Sequence, residues 1–143
     1  MVYILEFDGA CRGNPGLCGA GYVIYKDDEL LERHSKFVSK KNTNNYSEYS
    51  ALLFGIERLV ELEAKDVIVK GDSQLAINQL NGVYRVKSEN ILELYNKVVE
   101  MLKNFDKYNF CHIKRDKNKL ADQLANTAID NYIKENVQTC KED

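Results

Sequence analysis

Two hydrophobic periods alternate along this 143-residue chain, and their order leaves few architectures open. Short apolar runs bounded by polar turns read as strands, and apolar residues recurring every three or four positions read as helices. Residues 2–7 carry apolar side chains on both faces, which fits a central strand of a covered sheet. Residues 19–25 and 30–38 form two further strands around the polar turn Lys26-Asp27-Asp28-Glu29, so the chain opens as a three-stranded meander. After a polar loop over 40–45, Tyr49, Leu52, Leu53, Ile56, Leu59 and Val60 make one helical stripe that runs to about Glu63. A β-branched strand over 66–71 ends at Asp72, and a short helix over 73–80 stops at Asn81-Gly82. A helix over 89–103 and a fifth strand over 108–113 follow. From about Asn118 a last helix aligns Ala121, Leu124, Ala125, Ala128 and Tyr132. The order β-β-β-α-β-α-α-β-α predicts an α/β fold, a mixed sheet covered by helices.

A chain of this length builds one core without staples. No repeat, low-complexity tract or linker divides it, so one domain is expected over residues 1–136, with a frayed polar tail over 137–143. The net charge of −2 makes no global argument for a polyanionic partner, although a local basic groove counts for more than the sum. Cys11, Cys18, Cys111 and Cys140 form no Cys-x-x-Cys pair and have no histidine at zinc spacing. They are expected to be free thiols in a reducing compartment. With no leader-like segment and no membrane-length apolar run, the expectation is a cytoplasmic protein.

Residues 9–21 hold five of the eight glycines and the only proline. Their spacing is not that of a dinucleotide-binding loop, and a strand rather than a helix follows, which excludes that reading. Asp8 just before this run, Glu48 on the buried side of the first long helix, Asp72 after the fourth strand and Asp122 in the last helix are each oddly placed for a carboxylate. Taken singly, such acids are turn, cap or surface residues more often than catalytic ones. Together they change the argument, because parallel first and fourth strands would carry Asp8 and Asp72 to one edge with the first helix crossing above. Four converging acids repel unless a cation lies among them, and hard oxygen ligands without thiolate or imidazole select Mg²⁺ or Mn²⁺. Two such ions serve phosphodiester hydrolysis.

The stretches Asp8-Gly9-Ala10-Cys11-Arg12-Gly13-Asn14-Pro15-Gly16, Thr43-Asn44-Asn45-Tyr46-Ser47-Glu48-Tyr49-Ser50-Ala51, Gly71-Asp72-Ser73-Gln74 and Asn118-Lys119-Leu120-Ala121-Asp122-Gln123-Leu124-Ala125 resemble the type 1 ribonuclease H family in sequence and order. The resemblance implies a five-stranded sheet with strand two antiparallel to its neighbours. It also implies hydrolysis of the RNA strand of RNA/DNA hybrids, with Asp8, Glu48, Asp72 and Asp122 as ligands of two Mg²⁺ ions and Mn²⁺ as a substitute. The expected products carry 3′-hydroxyl and 5′-phosphate ends, and the expected enzyme is a monomer with no protein partner. A non-catalytic hybrid binder and a DNA nuclease of the same fold are the alternatives. The first gives no reason to keep four acids beside phosphates, and the second none for amides suited to 2′-hydroxyls.

Asn14, Asn44, Asn45 and Gln74 are those amides, able to donate and accept across a shallow minor groove, and Thr43 resembles the family's contact to a DNA phosphate. For the two asparagines beside the helix start, capping is an equally good explanation. Local lysines and arginines, including Arg85, Lys87, Lys114 and Lys119, are expected to attract phosphates. The segment between Asn81 and Asn90 is too short for the basic protrusion some members carry. The link before the last helix is also short, so Arg115 is the expected auxiliary catalytic residue there, and His112 reads as a strand histidine. Asn118, one turn before Asp122, is placed to orient that ligand.

Overall fold

The computed structural model describes residues 1–142, with side chains described through Asn136. Strands β1 (Val2–Gly13), β2 (Gly16–Lys26), β3 (Glu29–Asn42), β4 (Asp66–Gly71) and β5 (Lys107–His112) form one mixed sheet. Its spatial order is β3-β2-β1-β4-β5. The meander makes β2 antiparallel to both neighbours, whereas β1, β4 and β5 run parallel. Helices α1 (Asn44–Glu61), α2 (Gln74–Leu80), α3 (Glu89–Leu102) and α4 (Lys119–Glu142) fall in the expected order, with a 3-10 turn at Arg115–Lys117 before α4. No helix among the described residues is long and apolar enough to cross a membrane. The predicted frayed tail, 137–143, lies outside the residues whose side chains are described.

The core lies between the sheet and α1. Tyr3, Leu5 and Phe7 of β1, Val67 and Val69 of β4, and Leu52, Ile56 and Leu59 of α1 are buried together, with Ile91, Leu94 and Val98 of α3 closing the layer. Each such side chain contributes about 1.5–3 kcal/mol by leaving water. The stripe predicted for α1 is the face that does this. Close approach depends on Gly55, because a Cβ there would lie 2.5 Å from Leu5 Cδ1. The opposite face of β1 is covered less completely than its apolar sequence implies: Ile4 and Glu6 are half-buried, since α4 packs chiefly over β2 and β3.

The meander departs from the prediction in extent. β1 and β2 continue through the glycine-rich segment, pairing Gly9 with Ala20 and Ala10 with Gly19, and only Asn14 and Pro15 remain as the connection. Asp8 therefore lies within a strand, not at its end. At Gly21 glycine serves clearance rather than turning: a Cβ there would lie 2.2 Å from the Ala121 carbonyl oxygen, so α4 rests directly on the backbone of β2. The same register overturns the cysteine expectation. Cys11 and Cys18 are cross-strand partners joined by a disulfide, Cys111 is free and exposed, and Cys140 lies outside the described side chains. Counting short cysteine spacings misses a pair that meets only across a hairpin.

Candidate active site

Three elements converge where β1 and β4 run side by side. Phe7 pairs with Gly71 in the parallel register, so the next residues, Asp8 within β1 and Asp72 just past the end of β4, come side by side. Glu48 comes from the start of α1, whose first turn is fixed by the Thr43 hydroxyl accepting from the Tyr46 amide at 3.2 Å. Strand and helix touch at Gly9, where a Cβ would lie 2.4 Å from the Glu48 nitrogen. Only glycine lets the helix bring its carboxylate this close to β1. One oxygen from each of Asp8, Glu48 and Asp72 lies within 4.8 Å of the others. Asp122, from the first turn of α4, faces the same cavity of about 590 Å³.

The electrostatics are those of a site built to be neutralised from outside. Burial pushes the Asp8 carboxyl up to about 7; a hydrogen bond with Glu48 opposes the shift, and the charges of Asp72 and Asp122 add to it. Glu48 is raised well above the usual carboxylate range, first by burial and then by the charge of Asp8, with the Gly9 backbone amide pulling the other way. Its Oε2 is buried without a hydrogen-bond partner among the described residues. Closely packed acids, an orphaned carboxylate oxygen and an all-oxygen donor set fit a hard divalent cation.

The residues expected to read substrate separate into two groups. Asn44, Asn45 and Arg115 line the cavity beside the acids. Asn14 stands at the hairpin tip, where its Oδ1 accepts from the Asn44 backbone amide at 3.1 Å and ties the tip to the start of α1. Thr43 is the cap of α1, and Gln74 is an exposed residue at the start of α2, outside the cavity wall. His112 ends β5, with its imidazole 3.2 Å from the Asp72 backbone oxygen, and does not line the cavity.

Gly9, Ala10, Cys11, Ser73, Leu75 and Asn126 complete the wall and were not anticipated as site residues. For Asn126 a signal was present: it follows Asp122 by one turn, and its Nδ2 lies 3.0 Å from the Asp122 backbone oxygen and 3.4 Å from Oδ1. Arg12 joins the hairpin to the same helix through an ion pair with Asp130 at 2.7 Å. Asn118 differs from expectation. Its side chain reaches Asp72 rather than Asp122, because it stands before the first turn of α4 and faces the strands.

The family described as reverse transcriptase-like matches residues 6–128. A bifunctional protein of Mycobacterium tuberculosis is 36% identical over 131 residues, which are 91% of this chain and 36% of that protein, so the chain spans about a third of that relative's length. A protein named ribonuclease H from Coxiella burnetii is 30% identical, with 96% of each chain covered. Among solved structures, LC11-RNase H1 in complex with an RNA/DNA hybrid superposes with a TM-score of 0.86 at 36% identity, covering 92% of this chain and 99% of that one. Sequence match over most of the chain, the same fold at that identity and the shared strand order lead to one conclusion: this chain belongs to the type 1 ribonuclease H family.

Proposed function

We propose that the chain is a metal-dependent endonuclease that hydrolyses the RNA strand of RNA/DNA hybrids, leaving 3′-hydroxyl and 5′-phosphate ends. The observation that carries this reading is the convergence of Asp8, Glu48 and Asp72, with oxygens within 4.8 Å of one another, in a cavity that Asp122 also faces. These four acids would hold Mg²⁺, as two ions, with Mn²⁺ as a substitute. When bound, the ions supply a nucleophile at neutral pH and stabilise charge on the phosphate and the leaving oxygen. The chain's own side chains do the rest. Asn44 and Asn45 present amides to the sugar edge beside the acids, and Asn14 steadies that helix start through the Asn44 backbone. Arg115, which also lines the cavity, offers a guanidinium to the scissile phosphate. Thr43 and Gln74 extend the contact beyond the cavity, to the DNA phosphate and a neighbouring sugar.

The convergence of four acids on one cavity argues against a simple binder, since carboxylates beside phosphate oppose binding unless a cation lies among them. The enzyme is read as a monomer that needs no protein partner. A cytoplasmic setting follows from the substrate and no longer from the cysteines. The decisive experiment offers end-labelled RNA/DNA hybrid, double-stranded RNA and double-stranded DNA in Mg²⁺, in Mn²⁺ and in chelator. Cleavage confined to the RNA of the hybrid and dependent on metal is expected. Cutting of DNA, or unchanged hybrid cleavage in chelator, overturns the reading.

A further inference from the structure

Asn118 precedes α4 and is 1% exposed. Its Nδ2 donates to the Phe7 backbone oxygen at 2.8 Å and to Asp72 Oδ2 at 3.2 Å. Both partners can only accept from it, which fixes that end of the amide as the NH₂. Phe7 immediately precedes Asp8, so one side chain from a third element joins the β1 backbone at Asp8 to the carboxylate that follows β4. The Asn118 backbone oxygen also accepts from the Asp122 amide, at 3.2 Å. Asn118 thus bonds directly to Asp72 and Asp122 and to the backbone carbonyl that precedes Asp8. The other end of the amide, Oδ1, is buried with no hydrogen-bond partner among the described residues, an arrangement that lowers stability and that a purely structural residue would not favour.

We propose that Asn118 is a positioning residue for the carboxylate cluster, holding Asp8 and Asp72 at the separation a divalent cation requires. This inference rests on the hydrolase reading above. The need for such a clamp follows from the charges: Asp8 and Asp72 repel, and Asp72 is only half-buried, so its side chain can turn outward to water. Two donated hydrogen bonds, one to the carboxylate and one to the neighbouring strand's backbone, oppose that rotation. A hydroxyl in the same place would be too short to reach both acceptors.

The test measures Mn²⁺ binding to the full chain without nucleic acid, by calorimetry, for wild type, Asn118→Ala and Asn118→Ser. Melting temperature and steady-state cleavage of hybrid are recorded alongside. Loss of Mn²⁺ affinity by about 10–100-fold in both variants is expected, because ligand-orienting hydrogen bonds contribute that much. The Mg²⁺ concentration for half-maximal cleavage should rise in parallel, and KM for hybrid at saturating metal should stay unchanged. Should Asn118→Ala fail to fold, Asn118→Ser carries the test. Wild-type Mn²⁺ affinity in folded variants, with only the melting temperature lowered, overturns the inference. A wild-type protein that neither binds Mn²⁺ nor cleaves hybrid removes the hydrolase reading first, and the two failures are thereby told apart.

Discussion

Asp8 and Glu48 share a pocket that neither could occupy comfortably alone as an ion, which makes the cluster a store of repulsion in the absence of metal. Asp8→Asn is expected to reduce hybrid cleavage to background while raising stability in chelator by on the order of 1 kcal/mol, since one buried charge is removed from among its like neighbours. Thermal melting with and without EDTA, beside a cleavage assay, checks both halves. Glu32 presents the opposite case. Arg58 binds it through two hydrogen bonds of 2.7 Å and His34 through one of 2.8 Å, and the Arg58 guanidinium holds its carboxyl down to about 2. An acid depressed in the folded state stabilises fully above its unfolded value and loses that contribution as pH falls through the folded one. The stability gap between wild type and Glu32→Gln should therefore be constant at neutral pH and begin to close below about pH 4.5, which urea midpoints from pH 6 to pH 3 will show.

Among the elements, α4 is the one whose seating decides most. It rests on the bare backbone of β2 at Gly19 and Gly21, is joined to β3 by Phe37 stacked 3.9 Å from Tyr132, and accepts the Ser35 hydroxyl at the Leu124 backbone oxygen. Its first turn supplies Asp122. Gly21→Ala would push a methyl group against the Ala121 carbonyl, one residue from that carboxylate. A loss of about 1–3 kcal/mol is expected from the overpacking, together with weaker metal binding. Denaturant melts and a Mn²⁺ titration of the folded variant measure the two effects separately. On the other side of the sheet, α1 is held to α2 by the Tyr49 hydroxyl donating to Gln79 Oε1 at 2.6 Å, so the helix carrying Glu48 and the helix following Asp72 are braced together. Truncating Leu52 to Ala, at a position with no exposure, should cost about 2–5 kcal/mol and is read by the same melts.

For the molecule as a whole, metal should act as a folding ligand: at an Mg²⁺ concentration a hundred times its dissociation constant, the chain gains about 2.7 kcal/mol, and EDTA reverses the gain. Melting curves across an Mg²⁺ series check this. The order of elements and the sheet's mixed direction were legible from periodicity alone, because β-branched runs and 3.6-residue stripes are local properties that burial simply reinforces. Asp72 was likewise legible, since a strand that short can end only where its apolar run ends. The extent of β1 was not. Gly9, Gly13 and Gly16 announce a turn locally, yet all three lie in paired strands, and what requires glycine at Gly9 is the approach of α1, a contact nearly forty residues away in the chain. Cys11 and Cys18 show the same limit, invisible as a pair until the hairpin register sets them opposite each other. Residue types and their periods determined which elements form and which acids were available. Distances between those acids, the partner that Asn118 chooses and the cavity they share were decided by packing, because a hydrogen bond or a repulsion depends on separation in space and the chain's order does not specify that separation.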